Sequence, residues 1–140
     1  MSINKKAILF ALYFLTHAAL ASVPHFFVQM ENRSDKQAAI SFQKGVGNVW
    51  LEPNLADKTP LPSHQKSMKY QVNIEPLDPK ATFNIIFTGK QNCNFNIAYY
   101  APANPKVTVS GFGCHGGGYE ITGNQYTLLL YISDINLKHS

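Results

Sequence analysis

Residues 68–75, MKYQVNIE, decide the fold class, because apolar and polar side chains alternate along them without interruption. The apolar members are Met68, Tyr70, Val72 and Ile74, and the polar members are Lys69, Gln71, Asn73 and Glu75. A period of two is typical of a β-strand that turns one face to a core and the other to water. We therefore expect the apolar set to be buried and the polar set to be exposed.

The same alternation recurs along the rest of the chain. Its runs are HFFVQMEN (25–32), AAISFQ (38–43), TFNIIFT (82–88), CNFNIAYY (93–100), KVTVSGF (106–112), GYEIT (118–122) and QYTLLLYI (125–132), with a shorter one around Trp50. Turn residues separate the runs, and no helical period stands out after residue 21. The pattern predicts an all-β fold: an antiparallel β-sandwich, immunoglobulin-like or Greek-key, of seven to nine strands. The predicted core adds Phe83, Ile85, Phe95, Ile97, Leu128 and Leu130, with Asn96 exposed.

The first 21 residues have the three parts of a secretory signal peptide. Lys5 and Lys6 precede an apolar run at residues 7–15, and Ala19-Leu20-Ala21 offers small residues for cleavage. The run is much shorter than the roughly 20 residues that span a bilayer, and no second long one follows. We expect residues 1–21 to be removed and residues 22–140 to form one exported domain, periplasmic or extracellular, without a transmembrane segment.

The charge pattern does not indicate a particular class of partner. The chain has a formal charge of +4, from 12 basic and 8 acidic side chains, and loss of Lys5 and Lys6 would leave 10 − 8 = +2. The remaining lysines are scattered singly, whereas nucleic-acid-binding proteins concentrate basic side chains in a patch. We therefore predict no nucleic-acid partner.

The two cysteines, Cys93 and Cys114, are expected to form a disulfide, since an exported chain enters an oxidising compartment. Cys114 lies in the stretch GFGCHGGGYE (111–120), whose His-Gly-Gly-Gly element also occurs in esterase oxyanion holes. Those enzymes need a Gly-x-Ser-x-Gly elbow, which this chain lacks. We interpret the stretch as a disulfide next to a turn, with Gly116, Gly117 and Gly118 making a tight reversal.

No residue set predicts catalysis or a cofactor. The acids lie in turns or on polar strand faces, and no combination of serines and histidines stands out as a triad. His115 beside Cys114 provides too few ligands for a metal ion. After cleavage at Ala21 the chain would begin Ser22-Val23-Pro24-His25, and Pro24 has no amide proton to yield to copper. We expect a protein that is not an enzyme and binds neither metal nor cofactor.

One segment breaks the alternation. Residues 52–66, EPNLADKTPLPSHQK, contain three prolines and no strand pattern. A loop of this length is either functional or a crossover between two sheets. The sequence leaves both interpretations open.

Four apolar or aromatic residues fall on strand faces turned away from the predicted core. They are Ile86, Tyr100, Leu129 and Tyr131. If their strands are neighbours in one sheet, they form a single patch that is costly to leave in water. The leading hypothesis is that this patch binds a protein or glycan partner, or a second copy in a homodimer.

Two alternative functions remain open. The protein could inhibit an extracytoplasmic enzyme by inserting residues 52–66 into its cleft. It could also be an accessory subunit of a surface assembly that acts by strand addition at a sheet edge. Asn32-Arg33-Ser34 would be a glycosylation signal only if the chain follows a eukaryotic secretory route.

Overall fold

The computed structural model describes residues 26–75, 80–100 and 103–134. These residues form eleven strands: β1 Phe26–Arg33, β2 Ala38–Lys44, β3 Val49–Glu52, β4 Thr59–Leu61, β5 Gln65–Lys66, β6 Tyr70–Ile74, β7 Lys80–Thr88, β8 Cys93–Tyr100, β9 Lys106–Ser110, β10 Cys114–Thr122 and β11 Gln125–Ser133. Within them there is no helix that could cross a membrane. The predicted signal peptide, residues 1–21, lies outside the described residues.

The strands form two sheets that pack face to face. Sheet A has the order β10-β11-β1-β6-β3, with β5 also paired to β1, and sheet B has the order β4-β2-β7-β8-β9. One continuous apolar core lies between the sheets. The predicted all-β sandwich is therefore confirmed.

The structure differs from the prediction in strand number and in one pairing. The additional strands, β4 and β5, are short and lie inside the predicted loop 52–66. The pair β1–β11 is parallel, with Phe27 opposite Thr127 and Arg33 opposite Ser133. Short loops exclude parallel neighbours only when the two strands are consecutive. Here the rest of the domain connects the first strand to the last, so a parallel pair is possible.

The predicted inward-facing residues are buried. This holds for Tyr70, Val72, Ile74, Phe83, Ile85, Phe95, Ile97, Leu128 and Leu130. Aromatic rings join the two sheets, with Phe26 of sheet A 5.3 Å from Tyr99 of sheet B between ring centroids. The period of two therefore assigned the faces of these strands correctly.

The expected exposure of the polar residues is only partly right. Asn96 is exposed, but Lys69, Gln71 and Asn73 are half-buried. Strand β6 lies between β1 and β3, so neighbouring side chains shield its outer face. Met68 is 53% exposed, contrary to the prediction, because the strand begins only at Tyr70.

Residues 52–66 run from sheet A to sheet B and back. They leave β3 through a cis Glu52–Pro53 bond, contribute β4 to sheet B and then β5 to sheet A. Leu55 and Leu61 are buried in the core. The segment is thus a packed crossover between the sheets.

A buried asparagine secures the turn after β1. The side chain of Asn32 has no exposed surface, and its amide nitrogen donates to the carbonyl oxygens of Lys36 at 2.7 Å and Leu61 at 3.0 Å. Its amide oxygen accepts from the backbone N–H of Ser34 at 2.9 Å and from the Ser34 hydroxyl. The amide nitrogen to which a glycan would be attached is therefore buried and fully hydrogen-bonded in the folded protein.

Candidate functional site

The disulfide forms as predicted. Cys93 in β8 is bonded to Cys114 in β10, with their Cα atoms 5.8 Å apart. Because β8 belongs to sheet B and β10 to sheet A, the bond ties the two sheets together at this end of the sandwich. It therefore fixes where the edge strand β10 starts.

The prediction of a tight reversal at Gly116, Gly117 and Gly118 is wrong. The chain reverses earlier, where Gly111 and Gly113 have φ angles of 123° and 73°. The later three glycines lie within β10, where Gly118 pairs with Leu129 of β11 and the other two lie in a shift of the register. A glycine run permits a turn, but a positive φ also fits a β-bulge, and sequence alone does not separate the two.

The glycines form a bulge that brings β10 close to sheet B. His115 lies opposite Tyr131 and Gly118 opposite Leu129, so two glycines, Gly116 and Gly117, share the place opposite Leu130. Gly117 has a φ of 90°. A Cβ on Gly116 would lie 2.8 Å from Val107 Cγ1 and 3.1 Å from Phe95 Cδ1. Only glycine leaves space for this contact.

The four residues predicted to form one patch are not brought together. Ile86 and Tyr100 belong to sheet B, whereas Leu129 and Tyr131 belong to sheet A. Since outer faces of a sandwich point in opposite directions, the two pairs are on opposite sides of the molecule. Ile86 lies opposite Asn94 on β8, six residues from Tyr100, which is about 20 Å along a strand. The single-patch hypothesis therefore fails.

Tyr131 is packed among polar groups on the outer face of sheet A. Its ring stacks on that of His115, with centroids 4.7 Å apart, and the guanidinium carbon of Arg33 lies 3.7 Å from its centroid. His115 Nε2 is 3.1 Å from the hydroxyl of Ser133. Leu129 and Tyr131 help to line a cavity of about 50 Å³, which has room for little more than water. These contacts shield part of the ring, and Leu129 and Tyr131 are both half-buried.

Ile86 and Tyr100 are separate features of sheet B. Ile86 is half-buried at the edge of an open depression of about 230 Å³, next to Asn94 and Ser110. Tyr100 is exposed at the end of β8, with the amine of Lys80 5.4 Å from its ring centroid. The two residues therefore occupy different parts of sheet B.

The end of β10 lies at the edge of sheet A. We call residues 118–122 the distal edge. All five are exposed, and Tyr119 and Ile121 are 58% and 63% exposed despite their apolar side chains. In the described part of the chain only β11 pairs with β10, and no strand pairs with the other side of the distal edge.

Hairpin geometry determines which backbone groups are free. Gly123, with a φ of 61°, and Asn124 form the two-residue turn between Thr122 and Gln125, an arrangement that suits a type II′ turn. The residues that flank such a turn are a hydrogen-bonded pair, and bonded and non-bonded pairs then alternate. The N–H and C=O groups of Tyr119 and Ile121 therefore point away from β11.

The side chains of the same two residues lie on the inner face of sheet A, beyond the reach of sheet B. Tyr119 is opposite Leu128 and Ile121 is opposite Tyr126, and Leu128 faces the core. The rings of Tyr119 and Tyr126 stack with centroids 5.2 Å apart. Burial raises the pKa of Tyr126, and the adjacent Tyr119 adds to the increase. The distal edge thus combines free backbone groups with an uncovered apolar cluster.

The other sheet edges are better protected. Strand β3 has four residues and is followed by Pro53, while β4 has three residues, one of them Pro60. Strand β9 follows Pro105 and begins with Lys106. Short strands and proline are ways in which proteins block unwanted strand pairing. The distal edge contains neither proline nor lysine, and Glu120 is its only charged residue.

Sequence reasoning identified 118–122 as a strand but not as a site. Alternation reports which residues share a face, whereas an edge is a property of strand order. The signal that was present is the lack of proline and lysine in GYEIT, which begins with the last of three consecutive glycines. Within the described ranges no three His, Cys, Asp or Glu residues are grouped as metal ligands.

Comparisons with known proteins add no family: no family model matches the sequence, and no curated protein matches it.

Proposed function

We propose that the protein is an exported, non-enzymatic interaction module that binds a protein partner by strand addition at the distal edge of β10. One observation carries this proposal. The backbone groups of Tyr119 and Ile121 are unpaired on the side away from β11, and the same residues expose apolar side chains. An added strand would satisfy the backbone groups and cover the side chains at the same time.

The surroundings of the edge support this role. The Cys93–Cys114 bond and the contact of Gly116 with Val107 hold the first half of β10 against sheet B. Because the first half of β10 is held in place, the distal edge is already ordered before a partner binds. This lowers the entropy cost of binding an extended segment. The disulfide is also compatible with an oxidising compartment, as an exported protein requires.

The inhibitor hypothesis receives less support. It requires residues 52–66 to protrude, but Leu55 and Leu61 of this segment are buried and its strands pair with both sheets. Insertion of the segment into a cleft would expose these side chains. Strand addition needs no such rearrangement.

The test compares capture of a partner by matched variants at residue 121. Ile121→Pro removes the backbone N–H of residue 121, which points away from β11. The hydrogen bonds between β10 and β11 are therefore kept. Ile121→Val keeps both the N–H and a β-branched side chain. Immobilised wild-type protein and Ile121→Val should capture the same protein from the periplasmic or extracellular fraction of the producing cells, and Ile121→Pro should lose it.

Thermal unfolding of all three proteins provides the control for folding. The melting temperature of Ile121→Pro should remain close to that of Ile121→Val. Equal capture by a folded Ile121→Pro protein would contradict strand addition at this edge.

A further inference from the structure

We infer that the strand added at the distal edge is the same edge of a second copy, so that the protein forms a two-fold dimer through β10. This inference rests on the proposed function and names its partner. A strand that pairs with its copy across a two-fold axis perpendicular to the sheet is antiparallel to that copy, so the same edge on both molecules can form an isologous interface. The pairing would join two six-stranded sheets into one continuous sheet.

The free backbone groups fix the register. Hydrogen-bonded pairs must join residues whose N–H and C=O groups point outward, and these are Tyr119 and Ile121. A two-fold axis at Glu120 places Tyr119 of each copy opposite Ile121 of the other. Each such pair exchanges two backbone hydrogen bonds, so all outward groups of the two residues are satisfied.

The neighbouring registers fit less well. An axis at Tyr119 places Ile121 opposite Gly117, where the bulge and a φ of 90° interrupt the strand. An axis at Ile121 places Tyr119 opposite Gly123, which is in the turn. Only the axis at Glu120 keeps both outward residues against regular strand.

The side chains agree with this register on the inner face. Tyr119 opposite Ile121 is a cross-strand pair of an aromatic and a β-branched residue, which is a favourable combination. The two pairs would lie side by side and next to Tyr126 of each copy, which already stacks on Tyr119. Two exposed apolar clusters would then cover each other.

The outer face brings together two Glu120 carboxylates, which would repel each other if they were alone. Each carboxylate already has a cation nearby, because Lys69 Nζ lies 3.5 Å from Glu120 Oε1. The centre of the interface therefore contains two acids and two amines. Since the paired segment has only five residues, we expect a dimer that depends on concentration rather than a permanent one.

Sedimentation equilibrium over a wide range of protein concentration tests the dimer. Wild-type protein and Ile121→Val should change reversibly from monomer to dimer as concentration rises. Ile121→Pro should remain monomeric, and Tyr119→Ser should raise the dimer dissociation constant by about tenfold or more. Tyr100→Ser, on the opposite sheet, should behave like the wild type.

Cysteine cross-linking tests the register with two matched variants. In the proposed dimer Glu120→Cys lies opposite itself in a non-hydrogen-bonded pair, with Cα atoms about 4.5 Å apart, within the range for a disulfide. Thr122→Cys is on the same strand and face but lies opposite Gly118. Mild oxidation should therefore give a covalent dimer of Glu120→Cys and little or none of Thr122→Cys.

A wild-type protein that stays monomeric at every concentration, with no cross-linking of Glu120→Cys, would overturn the second copy as partner. Preferential cross-linking of Thr122→Cys would overturn the register at Glu120 and with it the proposed dimer. If the dimer is absent but the wild type captures another protein that Ile121→Pro does not capture, the proposed function still holds. If neither a dimer nor a captured partner depends on residue 121, the distal edge is not a binding site.

Discussion

Asn32 illustrates, at the scale of the residue, how burial changes the meaning of a sequence motif. In sequence it begins a glycosylation signal, whereas in the fold its amide group makes four hydrogen bonds and has no exposed surface. These bonds connect the turn after β1 to Leu61 at the end of β4. The asparagine is therefore a structural link between β1 and the crossover segment.

We predict that Asn32→Ala destabilises the protein by about 2–4 kcal/mol, because it leaves buried carbonyl and N–H groups without partners. Asn94→Ala is the matched control, since Asn94 is exposed on β8. Its effect should stay within about 0.5 kcal/mol. Urea unfolding of both variants measures the difference. Equal stability of the two variants would show that the Asn32 bonds contribute nothing to folding.

At the scale of the element, β10 shows how adjacent glycines have different roles. Gly116 allows β10 to approach Val107, Gly117 adopts a positive φ, and Gly118 resumes regular pairing opposite Leu129. The sequence could predict that the segment is unusual. It could not predict a bulge in place of a turn, since both use the same conformational freedom of glycine.

A pair of alanine substitutions separates these roles. Gly116→Ala should cost about 1–3 kcal/mol, because its Cβ would come within 2.8 Å of Val107 Cγ1. At Gly118 the nearest atom to an added Cβ is Leu129 Cβ at 3.8 Å, an ordinary contact. Gly118→Ala should therefore leave the free energy of unfolding unchanged or slightly increased. The reverse order of stability would contradict the bulge.

Other elements show what a period of two can establish. It assigned the inner faces of β6, β7, β8 and β11 correctly, because a strand with one buried face needs an apolar residue at every second position. It misjudged the start of β6 at Met68, since the alternation begins two residues before the first residue of the strand. Shielding of Gln71 and Asn73 depends on the strands beside β6, and these are not encoded locally.

At the scale of the whole molecule, strand order decided what the sequence could not. The predicted patch required the strands of Ile86, Tyr100 and Leu129 to be neighbours, but they are divided between two sheets. The parallel pairing of β1 with β11 also depends on contacts between residues about a hundred positions apart. The same long-range order makes β10 an edge strand and leaves Tyr119 and Ile121 uncovered.

The most direct test of the open edge is residue-resolved amide hydrogen exchange across residues 118–122. In dilute protein the N–H groups of Glu120 and Thr122 should be protected by β11, while those of Tyr119 and Ile121 exchange quickly. At concentrations at which the protein associates, the N–H groups of Tyr119 and Ile121 should become protected from exchange. In Ile121→Pro the N–H of Tyr119 should stay unprotected at the same concentrations. Protection of Tyr119 and Ile121 already in the dilute monomer, or none under any associating condition, would contradict strand addition at β10.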